Sequence, residues 1–308
     1  MVEAPARGGH PPQFSMVIAT FNDWQPLNEC LRSLAEQIAA PSFEVVVVDD
    51  GSNEEAPGFV REWSGRFPLR LLRQTHEGIS AARNRGVRNS HGDAVVFVDA
   101  DCKLQKNCLA ALATTMSQNP QRNYFQLRLV GDCQNLVGRA EELRLITIQN
   151  HLLGPDGCIR YLNTAGFSIC RHSAAADGVF DPAALRAEDT LLLADLMQSG
   201  ELPFFVEGAV VQHAIPLNLL QCLAKDVRST FLEAKTYDSI AARGVKFRVS
   251  HRERLTMLRS MWRASRRASI GFGGWLALAT RQTLRLSILM MLDPFGKRFT
   301  SRGPAKSF

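Results

Sequence analysis

Two solid apolar runs, each ending in a cluster of acids, constrain this chain most. Phe43–Val48 runs into Asp49-Asp50-Gly51-Ser52, and Ala94–Val98 runs into Asp99-Ala100-Asp101. A strand apolar on both faces must be covered on both faces, as parallel strands flanked by helices are. The intervening segments agree. Phe14–Thr20 and Leu69–Arg73 read as strands. Residues 24–39 repeat apolar side chains at Leu27, Cys30, Leu31, Leu34 and Ile38, which is helical spacing, and Gly78–Asn89 and Leu104–Ser117 also read as helices. The first ~115 residues therefore alternate strand and helix, which predicts a doubly wound, mostly parallel sheet. Ligands of such sheets bind outside the carboxyl ends of the strands, where both acidic clusters lie.

Further along, Tyr124–Val130 and Phe204–Val211 are expected strands, the latter followed by Gln212-His213. Arg139–Leu152 and residues 189–199 are expected helices, and Ile159–Cys170 is mixed. Beyond His213 the pattern is helical at Leu217–Ile240, Arg252–Arg267 and Trp275–Leu292. The expected organisation is a disordered tail (1–13), an α/β domain (14–213) and a helical, basic region (214–308).

Charge divides along the same line. Residues 1–212 hold 18 Lys+Arg against 25 Asp+Glu, whereas residues 213–308 hold 18 against 5. A basic tail on an acidic body suits a phosphate-bearing surface. Trp262 and Trp275 beside Arg-rich faces, with Arg281 and Arg285 on the last helix, have the composition of an interfacial membrane helix. No stretch reaches the ~18 uncharged apolar residues of a span. Met1–Gln13 is polar and lacks the apolar core of a secretory leader. The 7 cysteines form no C-x-x-C pair, and buried reduced thiols in a reducing compartment are expected. With 45% hydrophobic residues and a mean hydropathy of −0.09, a wholly disordered or collagen-like chain is excluded.

The chemistry-bearing residues gather at strand ends. Alternate carboxylates at Asp99 and Asp101 can share a divalent cation, and hard oxygen donors suit Mg²⁺ or Mn²⁺. The bland alternative is a solvated loop pair. Asp49 and Asp50 either accept hydrogen bonds from a nucleoside or form an ordinary Asp/Gly/Ser turn. Arg83, one turn into its helix, either pairs with a phosphate or is solvated. Glu188 and Asp189 open a helix, where carboxylates also serve as caps. His213 is either structural or a metal ligand.

Taken together, order and spacing resemble the GT-A fold family 2 glycosyltransferases. The matching stretches are Val17-Ile18-Ala19-Thr20-Phe21-Asn22, Val47 to Ser52, Gly78 to Gly86, Phe97 to Asp101, Gly178-Val179-Phe180-Asp181, Glu188-Asp189-Thr190 and Val210 to His213. The resemblance implies a Rossmann-like mixed, mostly parallel α/β sheet with helices on both faces. It implies transfer of a sugar from a nucleotide diphosphosugar, a UDP-sugar being favoured, to a saccharide or lipid-linked acceptor, with Mn²⁺ or Mg²⁺ and inversion. Thr20, Phe21, Asn22, Asp49, Asp50, Arg83, Asp99 and Ala100 would bind the nucleotide sugar. Asp101, Asp99 and His213 would hold the metal. Asp189 would be the base, supported by Glu188, which makes 14–213 a catalytic domain with a nucleotide-binding half at 14–117 and an acceptor and base half at 118–213. An anionic membrane surface is the expected partner and nucleic acid is not, which places the protein in the cytoplasm, peripheral on the inner face of the membrane.

Three departures from the family pattern stand out. Leu191 and Asp195 occupy places where the family often has Asp and Arg, so a cation near the diphosphate is either missing or supplied elsewhere, Arg160, Arg171 or the tail being candidates. No Gln-x-x-Arg-Trp follows His213, which favours single addition over processive synthesis. Asn163-Thr164-Ala165-Gly166 matches the family's acceptor loop only loosely. Three other classes fit less well. A nucleotidyltransferase would need a Gly-rich, Lys/Arg-bearing loop where Thr20-Phe21-Asn22-Asp23-Trp24 stands. A nucleic-acid binder would use the basic tail but leave the acidic clusters unexplained, and a haloacid-dehalogenase phosphatase would carry its D-x-D after the first strand.

Overall fold

The computed structural model describes residues 11–131, 135–175, 178–184, 187–213, 218–242, 259–263, 266 and 271–292. Eight strands form one mixed sheet in the order β3-β2-β1-β4-β7-β6-β8-β5. They are β1 (Phe14–Thr20), β2 (Phe43–Asp49), β3 (Leu69–Arg73), β4 (Ala94–Phe97), β5 (Cys102–Leu104), β6 (Tyr124–Gly131), β7 (Phe167–Cys170) and β8 (Phe204–His213). β3, β2, β1 and β4 run parallel. The pairs β4–β7, β6–β7 and β5–β8 are antiparallel. β2 and β4 are the two solid apolar runs of the sequence, and Val45–Val48 and Val95–Phe97 are fully buried.

The helices are α1 (Trp24–Ala35), α2 (Phe59–Trp63), α3 (Ile79–Arg88), α4 (Cys108–Gln118), α5 (Leu136–Leu152), α6 (Glu188–Ser199), α7 (Leu219–Ala242) and α8 (Gly271–Leu292). Leu27, Cys30, Leu31 and Leu34 of α1 are buried, as their spacing predicts. α3 lies hard against the sheet. A Cβ on Gly86 would stand 2.3 Å from Val17 Cγ1, so only glycine permits this approach. That closeness sets the depth at which Arg83 and Asn84 sit.

At the N-terminal ends of the strands, Glu44 gathers a polar group. It accepts from Ser15 Oγ (2.7 Å), Arg70 Nη2 (2.8 Å) and the His91 N–H (2.5 Å). Burial alone would push this carboxyl up, but those hydrogen bonds and the Arg70 charge outweigh it and hold the group below the usual glutamate value. Of the tail expected over 1–13, residues 1–10 lie outside the described residues. Pro12 O accepts from Asp93 N (3.1 Å), and Gln13 N donates to Ser42 O (2.9 Å).

The chain divides into two compact units. One takes Met1–Val130, Leu152–Ala183 and Leu202–Ala214, and the other takes Gly131–His151, Ala184–Glu201 and Ile215–Phe308. α5 and α6 thus belong by contact with the C-terminal helices. The second unit's core is Ala140, Leu143, Met261, Ala277 and Leu278, with Leu219 and Trp275 packed on it. Most of the helix expected at Arg252–Arg267 lies outside the described residues, although 259–263 is helical.

One expectation for α8 is corrected. Arg281, read from the sequence as part of an arginine face, is turned inward. Its Nε and Nη2 donate to Asp226 Oδ2 (2.6 Å) and Oδ1 (3.0 Å), and Nη1 lies 3.5 Å from Glu141 Oε2. Two buried carboxylates attract the guanidinium more strongly than water does, and the fork geometry suits them. No described helix is long and apolar enough to cross a membrane.

Candidate active site

The site is built at the carboxyl ends of the parallel strands, in the first unit. Thr20 closes β1 opposite Asp49 of β2, and Asp49 stands opposite Arg73 of β3. Thr20 Oγ1 and Ser80 Oγ are both buried there and find no hydrogen-bond partner among the described residues. Asn22 adopts a left-handed backbone (φ 60°) and clips two loops together. Its N–H donates to Ser52 Oγ (2.8 Å), and its Oδ1 accepts from Asn53 N (2.9 Å).

The two acids after β2 have different surroundings. Asp49 accepts from Ser52 N (2.8 Å) and lies 3.4 Å from Arg73 Nε. Asp50 organises the turn after β3. Its Oδ1 accepts from Gln74 Nε2 (2.8 Å) and Glu77 N (3.0 Å), while Oδ2 accepts from Gly78 N (2.9 Å) and lies 2.9 Å from His76 Nδ1. Asp50 therefore builds the entrance to α3. The exposed ring of Phe21 stacks on His76, centroids 4.3 Å apart. His76 and Arg73 escaped the sequence reading. Both flank the strand and turn already recognised, and only the fold turns them towards the acids.

α3 delivers a cation to the next cluster. Arg83 is buried and its Nη2 donates to Asp99 Oδ1 at 2.6 Å. Its guanidinium also lies over the Phe180 ring, 5.7 Å from the centroid. Asn84, beside it, holds the segment that carries this ring. Asn84 Oδ1 accepts from Val179 N (2.8 Å) and Phe180 N (2.9 Å), and Nδ2 donates to Phe180 O (2.6 Å). Gly178 has φ +127°, and a Cβ there would stand 2.4 Å from Asn84 Cγ. The Gly178–Phe180 motif was visible in the sequence, but its partner Asn84, 95 residues earlier than Val179, was not.

Ala100 is buried in the turn between Asp99 and Asp101. The short strand β5, absent from the sequence reading, then does the decisive positioning. It pairs antiparallel with β8 so that Cys102 stands opposite His213. Asp101 Oδ2 thereby comes within 3.2 Å of His213 Nε2. One donor atom each from Asp101, Cys102 and His213 lie within 4.8 Å of one another. Burial, and then the charges of Asp99 and Asp101, push the Cys102 thiol well above its usual range. Cys102 completes the group with a buried sulfur behind the two more exposed donors. The useful donors are a carboxylate and an imidazole, and this set fits Mn²⁺ or Mg²⁺ rather than a thiolate-seeking metal.

Glu188 and Asp189 belong to the second unit, where they head α6. Ala187 precedes them in a left-handed conformation (φ 62°). Asp189 Oδ1 accepts from Thr190 N (2.6 Å) and Thr190 Oγ1 (3.2 Å). Of the cations considered for the diphosphate, Arg171 is committed elsewhere. Its Nε, Nη1 and Nη2 donate to Gly92 O, Val87 O and Ser90 Oγ, at the start of β4 rather than its end. The six described cysteines are free, and all but Cys170 are buried.

Comparisons with known proteins concern the family and the fold. A glycosyltransferase of Haemophilus influenzae without an assigned role is 35% identical over 113 residues, 36% of this chain and 37% of that protein. Dolichol-phosphate mannosyltransferase of Pyrococcus furiosus is 34% identical over 88 residues, 28% of this chain and 25% of that protein. The matches thus span about a third or less of these relatives. Among solved structures, S. aureus TarS 1-349 superposes with a TM-score of 0.55 at 17% identity, over 94% of this chain and 93% of that one. Mannosyltransferase PcManGT from Pyrobaculum calidifontis, solved with GDP-Man and Mn²⁺, superposes with a TM-score of 0.57 at 18% identity, over 96% and 83%. Both likenesses concern the fold. The family model described as Glycosyl transferase family 2 matches residues 15–177, just over half of the 308 residues, and the chain belongs to that family.

Proposed function

We propose that this protein is a metal-dependent, inverting, non-processive glycosyltransferase. It moves a sugar from a nucleotide diphosphosugar, a UDP-sugar being favoured, to an acceptor hydroxyl in the synthesis of a cell-surface polysaccharide or glycolipid. The observation that carries the reading is the Asp101–His213 pair at the sheet's carboxyl rim, beside the Arg83–Asp99 ion pair. TarS has been solved with UDP-GlcNAc and PcManGT with GDP-Man and Mn²⁺, which supports a donor of this class.

Asp101 and His213 would hold the cation, with Asp99 beside them, and the cation would neutralise charge on the departing diphosphate. The chain's own residues do the rest. Phe21 offers an exposed ring face of the kind on which a base stacks, and Thr20, Asn22 and Asp49 line the nucleoside end. Asp50 holds the turn below it. Arg83 orients the Asp99 carboxylate, and its buried charge favours an anionic ligand nearby. Asp189 takes the proton of the acceptor hydroxyl, because a neutral hydroxyl is a poor nucleophile, and Glu188 supports it. Attack from the face opposite the leaving group inverts the anomeric centre. The acceptor is lipid-linked or otherwise displayed at the inner face of a membrane, with the protein bound peripherally.

A thermal-shift panel of nucleotide diphosphosugars, with and without Mn²⁺, tests the reading, and one donor should raise the melting temperature only when metal is present. Asp101→Ala should remove that metal-dependent shift, and unchanged UDP affinity with Mn²⁺ in calorimetry would refute the assignment. Asp189→Asn should abolish transfer while donor binding persists; near-normal turnover would exclude Asp189 as the base.

A further inference from the structure

The second unit carries a cluster of rings that the transfer chemistry does not use. Trp262 meets Trp275 at 5.0 Å and 71°, and Phe272 at 6.4 Å and 90°. Phe272 and Trp275 lie 5.8 Å apart. Trp275 packs on the core of Ala140, Leu143 and Leu278, which fixes the cluster from below. Above that footing Phe272 is 62% exposed, Trp262 39%, and Leu276, one helical turn from Phe272, 49%. Exposed rings in mutual contact, with an exposed leucine one turn away, point to a contact surface.

Charge identifies what covers it. From Arg254 to Leu292 the chain has seven arginines and no lysine, aspartate or glutamate. Arg281 is withdrawn into its carboxylate pairs. Arg259, Arg263 and Arg266 are exposed, the first two on the same helical turns as Trp262. A second copy docking through this face would bring like charges together. Leu276 and Phe272 offer apolar surface rather than hydrogen bonds, which suits an acyl boundary better than a nucleic acid. Tryptophan and phenylalanine beside guanidinium groups match a headgroup layer, where rings enter the boundary and arginines meet phosphates.

We infer that Trp262, Phe272 and Leu276 insert at headgroup level into an anionic phospholipid surface, with Arg259, Arg263 and Arg266 on the lipid phosphates. This deepens the membrane-side acceptor proposed above and rests on it for its purpose, though not for its binding. The full chain should float with vesicles of phosphatidylcholine mixed with phosphatidylglycerol and not with phosphatidylcholine alone. Its tryptophan emission should shift to the blue on binding and be quenched by brominated acyl chains. Phe272→Asp, at an exposed position, should lower the bound fraction about tenfold or more. Arg263→Glu with Arg266→Glu should remove the preference for the anionic lipid.

Equal flotation with neutral vesicles, or undiminished flotation of Phe272→Asp, overturns the inference. So does oligonucleotide binding without flotation, or a dimer in light scattering that Phe272→Asp dissolves without any flotation. Donor thermal shifts on the same variants separate the two readings. A wild-type chain that floats but gives no donor shift refutes the transferase reading and leaves lipid docking standing. A Phe272→Asp chain that keeps the donor shift but no longer floats supports docking as a separate device.

Discussion

Asn84 shows how much one buried amide can organise. It satisfies two N–H groups and one carbonyl of the Gly178–Phe180 segment, and that segment supplies the ring beneath Arg83. Asn84→Ala strands those backbone groups in a dry environment, at about 1–3 kcal/mol for each that stays unpaired. The expected result is a lower urea midpoint together with a weaker donor shift, because Arg83 loses its platform. Asn84→Asp, which keeps the acceptor but loses the donor, should fall between the two in urea unfolding. Asp50 teaches a related lesson. Its position after a buried strand was readable, whereas its commitment to Gln74, His76, Glu77 and Gly78 depends on a turn that the preceding strand alone does not announce.

At the scale of elements, the long strands were legible because apolar runs such as Val45–Val48 admit few other environments. β5 was not, because a three-residue Cys-Lys-Leu segment carries no periodicity, and its strand character comes from pairing with β8. That pairing is what joins the acidic turn to His213; the two motifs were readable one by one, and the strand pairing that brings them together was not. α8 failed in the reverse way. Its two arginines four residues apart suggested one stripe, yet Arg281 answers to Asp226, 55 residues away. Arg281→Ala should leave buried carboxylates without a counter-charge and destabilise the helices by about 3–5 kcal/mol. Replacing Arg281, Asp226 and Glu141 together by apolar residues of similar volume should recover most of that loss, and calorimetric unfolding of the two variants measures both.

For the whole molecule, one contribution to acid stability lies at the N-terminal ends of the strands. Glu44 has a folded pKa below its ordinary value of 4.5, so its contribution is complete above that pH and disappears as pH falls through the folded value. Glu44→Gln should lower the urea midpoint at neutral pH and flatten its decline below about pH 4.5. Urea titrations across the acid range check both. The division into two units was hidden from the sequence for a different reason. Helix patterns at Arg139–Leu152 and 189–199 say that an apolar face is buried, but they cannot say that Ala140 and Leu143 are covered by Met261, Ala277 and Leu278 from far down the chain. The chain passes between the units at residues 130, 151, 183, 201 and 214. A single recombination joint therefore cannot trade one unit for a relative's counterpart. Substitution within the chain, rather than exchange of one contiguous cassette, is the route by which either unit can change.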